Sequence, residues 1–150
     1  MDPERFVEAQ AAVYGRVCDE LRHGEKRSHW MWFVFSHIAG LGHSEMARRY
    51  ALASLDEARA YLEHPLLGAR LRECVELLNG LQGRRIEQVM GYPDDLKLRS
   101  SLTLFARACS ENQIFLDALK KFHEGELDAE TLKRLKLVRV FSANPLDRET

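Results

Sequence analysis

Apolar residues recur at intervals of three and four along most of this chain, the spacing that buries one face of an α-helix. The clearest run occupies residues 66–81, with Leu67, Leu71, Cys74, Val75, Leu78 and Leu81 on one face. Residues 30–35 are six consecutive large apolar residues, which suit either a buried strand or a buried helix. No second strand-like run is present to pair with them, and an isolated strand is unstable. We therefore predict an all-α fold in which residues 30–38 are helical.

Local residue choice marks where several helices begin and end. Asp2 suits the start of a first helix, which continues at helical spacing to a C-terminal glycine, Gly24. Asp128 is placed to cap the last helix. We predict about seven short helices, packed as an irregular compact bundle in a single domain of residues 2–136. Residues 137–150 show no clear pattern, and we predict a mobile C-terminal tail there.

Charge and cysteine content narrow the functional classes. The 150 residues include 22 Lys plus Arg and 23 Asp plus Glu, a formal net charge of −1, whereas nucleic-acid-binding proteins usually carry a basic excess. Nucleic-acid binding is therefore disfavoured, and its only support would be a local patch at Arg48, Arg49, Arg84 and Arg85. Three separated cysteines without a Cys-x-x-Cys pair suit a reducing, cytoplasmic setting. No apolar run is long enough to cross a bilayer, so no membrane association is expected.

Residues 26–33 contain two tryptophans that packing alone explains poorly. Trp30 and Trp32 point to different faces of a helix because they are two positions apart. Beside them lie Lys26, Arg27 and His29. Aromatic rings next to cations can hold a flat, phosphate-bearing ligand by stacking and by charge. The alternative is a central helix buried on all sides, with both cations in solvent, because aromatic residues usually serve packing.

Residues 91–105 combine a turn, an apolar helix face and an excess of polar side chains. The positions left without a structural reason are Lys97, Ser100, Ser101 and Thr103. Serine and threonine are poor helix formers, and on a buried helix their hydroxyls need acceptors or a ligand. Asp95 could orient a histidine, bind a ribose-like hydroxyl or act as a base. The alternative is a solvated helix face, since Ser and Thr are mostly exposed in proteins.

The six histidines show no recognised metal-ligand spacing. His37 and His43 flank a glycine turn and could approach each other, but a zinc site needs three or four convergent ligands. The turn, Gly40-Leu41-Gly42, is a weak match to a phosphate-binding loop because it lacks the Lys-Ser/Thr ending of a P-loop. We therefore expect neither a metal nor a cofactor.

These residues resemble a bacterial family catalogued as domain of unknown function 1810. The resemblance spans nearly all of residues 2–136 and implies a mostly helical single domain without implying a reaction. The matching stretches are Arg5-Phe6-Val7-x-Ala9-Gln10, Lys26-Arg27-Ser28-His29-Trp30-Met31-Trp32-Phe33, Gly40-Leu41-Gly42-x-Ser44, Tyr61-Leu62-x-His64-Pro65-Leu66-Leu67-Gly68-x-Arg70-Leu71 and Pro93-Asp94-Asp95-Leu96-Lys97-Leu98-x-Ser100-Ser101-x-Thr103-Leu104-Phe105. The family usually has Phe-Pro-Gln where this chain has Phe35-Ser36-His37. Without that proline, the helix that begins near Trp30 is expected to run further.

Two functions from different classes fit these residues. In the first, the domain binds, or hydrolyses, a nucleotide-like or phosphate-bearing small ligand. Its catalytic residues would be His29 and Asp95, and its ligand-binding residues Lys26, Arg27, Trp30, Trp32, Lys97, Ser100 and Ser101. In the second, the domain is a non-catalytic protein-interaction module with both tryptophans in a solid core and an apolar patch exposed elsewhere. In either case we expect a monomer or a weak homodimer.

Overall fold

The structure is a computed structural model that describes the backbone of residues 2–141 and the side chains of residues 2–136. The predicted all-α class is confirmed, but this range contains ten α-helices rather than about seven. They are α1 (Glu4–Ala11), α2 (Tyr14–His23), α3 (Met31–Val34), α4 (Glu45–Arg49), α5 (Leu55–Glu63), α6 (Pro65–Asn79), α7 (Ile86–Met90), α8 (Asp94–Ala108), α9 (Gln113–His123) and α10 (Ala129–Phe141).

Helix α8 lies at the centre of the bundle, in contact with α5, α7, α9 and α10. Leu98, Leu102 and Phe105 form its buried face, as their spacing predicts. The ring of Phe105 packs between Tyr61 of α5 and Phe115 of α9, with centroid distances of 5.4 Å and 6.1 Å. Packing on several sides therefore fixes α8 in place, and with it the polar residues of its first turn.

The first predicted helix is two helices, because the chain bends after Ala11. No glycine or proline marks the bend, so local sequence does not signal it. The side chain of Gln10 is buried at the end of α1, and its Nε2 donates to the carbonyl of Phe33 at 2.7 Å and to the Tyr61 hydroxyl at 3.0 Å. These contacts tie α1 to α3 and α5, whereas α2 packs on α6.

The expectation that residues 30–38 form one helix is wrong beyond its first turn. Helix α3 spans only Met31–Val34, and the missing proline does not extend it. After α3 the chain turns extended, and Ile38 forms an isolated parallel bridge with Leu52. The amide of Leu52 donates to the carbonyl of His37 and the amide of Ala39 donates to Leu52, both at 2.8 Å. These long-range hydrogen bonds replace those that a longer helix would have made.

The C-terminal helix begins where the sequence predicts. Asp128 caps it, because its Oδ2 accepts from the amide of Thr131 at 2.9 Å and from its hydroxyl at 2.6 Å. Helix α10 continues to Phe141 and so enters the segment predicted as a tail. The remainder of that predicted tail, residues 142–150, lies outside the described residues.

Candidate functional site

A cleft of about 290 Å³ lies where the segment after α2 and helix α3 meet α4 and the first turn of α8. We call it the lysine cleft. The residues that line it are Lys26, His29, Trp30, Met31, Trp32, Phe33, Met46, Asp94 and Lys97. The two polar segments singled out in the sequence therefore meet here, since His29 and Trp32 come from one and Lys97 from the other.

The buried carboxylate of Glu20 fixes the conformation of the segment between α2 and α3 through hydrogen bonds. Glu20 is 8% exposed. Its Oε1 accepts from the amides of Arg27 at 2.7 Å and Ser28 at 3.0 Å, and from the indole nitrogen of Trp30 at 3.0 Å. Its Oε2 accepts from the Ser28 hydroxyl at 2.6 Å. Burial by itself raises the pKa of Glu20, but these hydrogen bonds outweigh burial and lower the pKa to about 2. Glu20 is therefore ionised at neutral pH.

The two tryptophans have different environments. Trp30 is 1% exposed and its indole N–H is satisfied by Glu20, which fits the packing role described above as the alternative. Trp32 is half-buried. The Nζ atom of Lys97 lies 4.2 Å from its ring centroid, and the His37 ring meets it at 5.1 Å in a T-shaped arrangement. Trp32 is therefore the more accessible of the two tryptophans that line the cleft.

One aspartate links the two lysines of the cleft. Asp94 Oδ2 lies 3.0 Å from Lys26 Nζ, and Asp94 Oδ1 lies 3.4 Å from Lys97 Nζ. The side chain of Lys26 is 8% exposed, and its ammonium also donates to the carbonyl of Ser28 at 2.7 Å. The formal charge of these three groups is +1, because two ammonium groups share one carboxylate.

His37 fixes the backbone that bears Lys97. Its Nε2 lies 2.9 Å from the carbonyl oxygen of Lys97. Because a carbonyl can only accept, Nε2 carries the hydrogen of the neutral ring. Burial lowers the pKa of His37 to about 4, so the ring is uncharged at neutral pH. The imidazole thus ties the loop after α3 to the first turns of α8.

The predicted hydroxyl residues of α8 do not line the lysine cleft. The Ser100 hydroxyl donates to the carbonyl of Leu96 at 3.3 Å. Ser101 is fully buried, and its Oγ has no hydrogen-bond partner within the part of the chain that the structure describes. Thr103 donates to the carbonyl of Arg99 at 2.8 Å and accepts from the amide of Asp128 at 2.9 Å. The hydroxyl of Thr103 therefore has a structural role, because it links α8 to the start of α10.

Three other predicted site residues, Asp95, Arg27 and His29, do not meet in one site. Asp95 is 6% exposed and does not line the cleft. Its carboxylate acts instead on His123 of α9. Burial lowers the pKa of His123, the charge of Arg99 lowers it further, and the charge of Asp95 opposes this shift in part. Arg27 is exposed, and its guanidinium pairs with Glu25 at 3.3 Å. His29 is exposed at the rim of the lysine cleft, with Asp94 rather than Asp95 among its neighbours there.

Sequence reasoning did not assign Glu20, Asp94 or Met46 to this site. A signal for Glu20 was present, because it lies three positions after Val17 and next to Leu21, on the apolar side of α2. Asp94 is the first residue of α8, where an acidic side chain also suits the helix dipole, so its position has a structural explanation without a site. Met46 lies on the five-residue helix α4, and only tertiary packing brings that helix over the cleft.

Among the described residues, no group of three or more His, Cys, Asp or Glu side chains is arranged to hold a metal ion. Nor does this part of the chain contain a helix with the length and apolar content needed to cross a membrane.

Comparison with known proteins places the chain in a group without an assigned activity. A family model described as protein of unknown function (DUF1810) matches residues 1–135. The chain is also similar to a solved structure, the crystal structure of the conserved hypothetical protein Rv1873 from Mycobacterium tuberculosis. The two share 56% sequence identity and a TM-score of 0.88, over 90% of this chain and 99% of that one. No curated protein matches the sequence.

Proposed function

The chain belongs to the DUF1810 family of proteins of unknown function, and we propose that its lysine cleft binds a small phosphate-bearing ligand with a flat or apolar part. The observation that supports this most is the convergence of Lys26, Lys97 and Trp32 on one cleft. Two ammonium groups favour an anion, and a half-buried indole favours a ring or another apolar surface.

In the free protein, the side chains of the cleft contact one another at the positions where the ligand would bind. Lys97 covers the Trp32 ring and pairs with Asp94, so both binding elements already have partners. An incoming phosphate competes with Asp94 for Lys97. As the ammonium moves toward the phosphate, it leaves the indole and uncovers a face on which a ring can stack. The charge and the aromatic surface therefore become available together.

The proposal concerns binding rather than hydrolysis. His29 and Asp95, which the sequence suggested as a proton-transfer pair, do not share the cleft. Among the residues lining it, His29 is the histidine at the rim, within reach of solvent. Any proton transfer at this site would use His29 without an Asp95 partner.

Lys97→Ala is expected to weaken phosphate binding at least about ten-fold, the effect of losing a charge-assisted hydrogen bond worth roughly 1.5–3 kcal/mol. The measurement is a thermal-shift screen of inorganic phosphate, nucleotides and sugar phosphates, followed by calorimetric titration of any hit. A ligand at 100 times its dissociation constant adds about 2.7 kcal/mol of stability to the wild-type protein. Lys120→Ala is the matched control, because Lys120 is exposed on α9 and does not line the cleft. Equal binding by the two variants would refute the proposal.

Asp94→Asn is expected to strengthen phosphate binding about five-fold, because it removes the carboxylate that competes with the ligand. A unit charge about 4 Å from the phosphate is worth about 1 kcal/mol at the dielectric constant of bulk water, so five-fold is the lower end of the expected gain. The same change lowers the stability of the free protein, since the largely buried ammonium of Lys26 loses its ionised partner. Asp56→Asn removes the same charge from an exposed ion pair on α5 and is the control. Weaker binding by Asp94→Asn than by Asp56→Asn would show that Asp94 does not compete with the ligand.

One observation favours the alternative, a non-catalytic protein-interaction module. Tyr92 is 81% exposed, and Leu96, one helical turn further on, is 41% exposed. Exposed apolar side chains of this size can form a contact surface. They lie outside the lysine cleft. This alternative therefore becomes the better account only if the screen above finds no ligand and Lys97→Ala changes nothing.

A further inference from the structure

A second cleft, of about 160 Å³, shares Trp32 with the lysine cleft. We call it the Arg48 cleft. The residues that line it include Trp32, His37, Gly40, Gly42, Ala47 and Arg48. Helix α4 borders both clefts, with Met46 lining the lysine cleft and Arg48 lining the other. One indole and one short helix are thus common to the two spaces.

Arg48 is the cation of the second cleft. It is exposed and makes no ion pair or side-chain hydrogen bond with any other residue in the described range. His37, the neighbouring titratable residue, is neutral at pH 7 because burial lowers its pKa to about 4. The Arg48 guanidinium offers a planar set of donors that matches a phosphate or carboxylate group.

The loop that lines the Arg48 cleft is packed closely against the indole that both clefts share. A Cβ atom at Gly42 would lie 2.6 Å from Ala47 Cβ and 3.1 Å from Trp32 Cη2. The benzene edge of the indole is therefore held against this loop, while Lys97 lies over the ring. Trp32 is therefore a boundary residue of both clefts, and the ring is the feature that they have in common.

The size of the clefts and their charges indicate a ligand that occupies both. Ligand pockets usually measure about 300–1,000 Å³. The lysine cleft, at about 290 Å³, is small by that standard, and the two clefts together fall within the range. The residues lining each cleft carry an excess positive charge, from Lys26 and Lys97 against Asp94 on one side and from Arg48 on the other. Arg134 also reaches the loop of the Arg48 cleft, where it donates to the Gly40 carbonyl at 3.3 Å, but its charge is paired with Glu130.

Building on the proposed function, we propose that the two clefts form one site for a ligand with two phosphate-like oxyanions. One anion binds Lys97 and Lys26, the second binds Arg48, and the part of the ligand between them contacts Trp32.

The test compares adenosine 5′-monophosphate with adenosine 3′,5′-bisphosphate by calorimetric titration of the full chain. The bisphosphate is expected to bind at least about ten-fold more tightly, because its second phosphate gains a charge-assisted contact. Arg48→Ala is expected to remove that advantage and to leave the affinity for the monophosphate within about two-fold of the wild-type value.

Arg49→Ala is the matched control. Arg49 has the same charge and lies next to Arg48, but it does not line either cleft and its guanidinium lies 5.5 Å from the Tyr50 ring. Equal losses in both variants would mean a general charge effect and would overturn the inference. So would equal binding of the two nucleotides that Arg48→Ala leaves unchanged. If neither nucleotide nor inorganic phosphate binds, the proposed function fails as well.

Discussion

Replacing Glu20 by alanine is expected to lower the free energy of unfolding by about 4 kcal/mol, one of the two largest effects of a single substitution that we anticipate. The change removes four hydrogen bonds to a buried charge and leaves the amides of Arg27 and Ser28 and the indole N–H of Trp30 without an acceptor. A hydrogen bond to a charged group contributes roughly 1.5–3 kcal/mol, and relaxation of the loop recovers part of the total. Urea unfolding at pH 7 measures the loss.

The pH dependence of stability provides a second measurement of the same group. The pKa of Glu20 is about 2 in the folded state and 4.5 ordinarily. Because the folded pKa is the lower one, ionised Glu20 stabilises the fold above pH 4.5, and this stabilisation is lost as the pH falls from there toward 2. At 1.36 kcal/mol per pKa unit, its contribution at neutral pH is about 3 kcal/mol.

Glu20→Gln separates charge from shape. Glutamine can still accept from the loop amides, and its NH₂ group can donate to the Ser28 hydroxyl. We expect this variant to be more stable than Glu20→Ala at pH 7 and to lose less stability than the wild-type protein between pH 5 and about pH 2.5. The control is Glu8→Gln, an exposed position on α1. Parallel acid curves for wild type and Glu20→Gln would show that the charge of Glu20 does not stabilise the loop.

Replacing Gly68 by alanine is expected to lower the free energy of unfolding by about 3 kcal/mol or more. A Cβ atom at this position would overlap the carbonyl oxygen of Leu62 and would lie 2.9 Å from the carbonyl carbon. Both atoms belong to the backbone of α5, so no side chain can rotate away, and α5 and α6 must separate. Overpacking that moves a backbone destabilises by roughly 1–3 kcal/mol, and occasionally by more.

Gly15→Ala is the matched control for this prediction. Gly15 lies in the first turn of a helix, α2, as Gly68 does in α6, but a Cβ atom at Gly15 has no neighbour within 4 Å. Replacing a glycine by alanine in an unobstructed helix raises stability by roughly 0.5–1 kcal/mol. The two variants should therefore shift the thermal midpoint in opposite directions. A shared upward shift would contradict the close approach of α5 and α6 at Gly68.

The sequence predicted the two segments that form the site but not every residue within them. Segments 26–33 and 91–105 contain aromatic, charged and hydroxyl side chains that helix formation and packing do not require. The structure brings parts of both segments to one cleft. The choice between Asp94 and Asp95 could not be made in this way. Adjacent helix positions differ by about 100° in direction, so the rotation of α8 about its own axis decides which carboxylate meets Lys26. That rotation is determined by the packing of α8 against its neighbouring helices.

The amino-acid sequence alone determined the all-α class, the capping of α10 by Asp128 and the buried face of α8, because each depends on residues within one or two helical turns. Only the tertiary structure decided the bend after Ala11, the short extended segment after α3 and the split in roles between Trp30 and Trp32. Those features depend on partners far along the chain, such as Tyr61 for Gln10 and Lys97 for Trp32. Local periodicity contains no information about such partners, since hydrogen bonds and packing between distant segments form only when the whole bundle assembles.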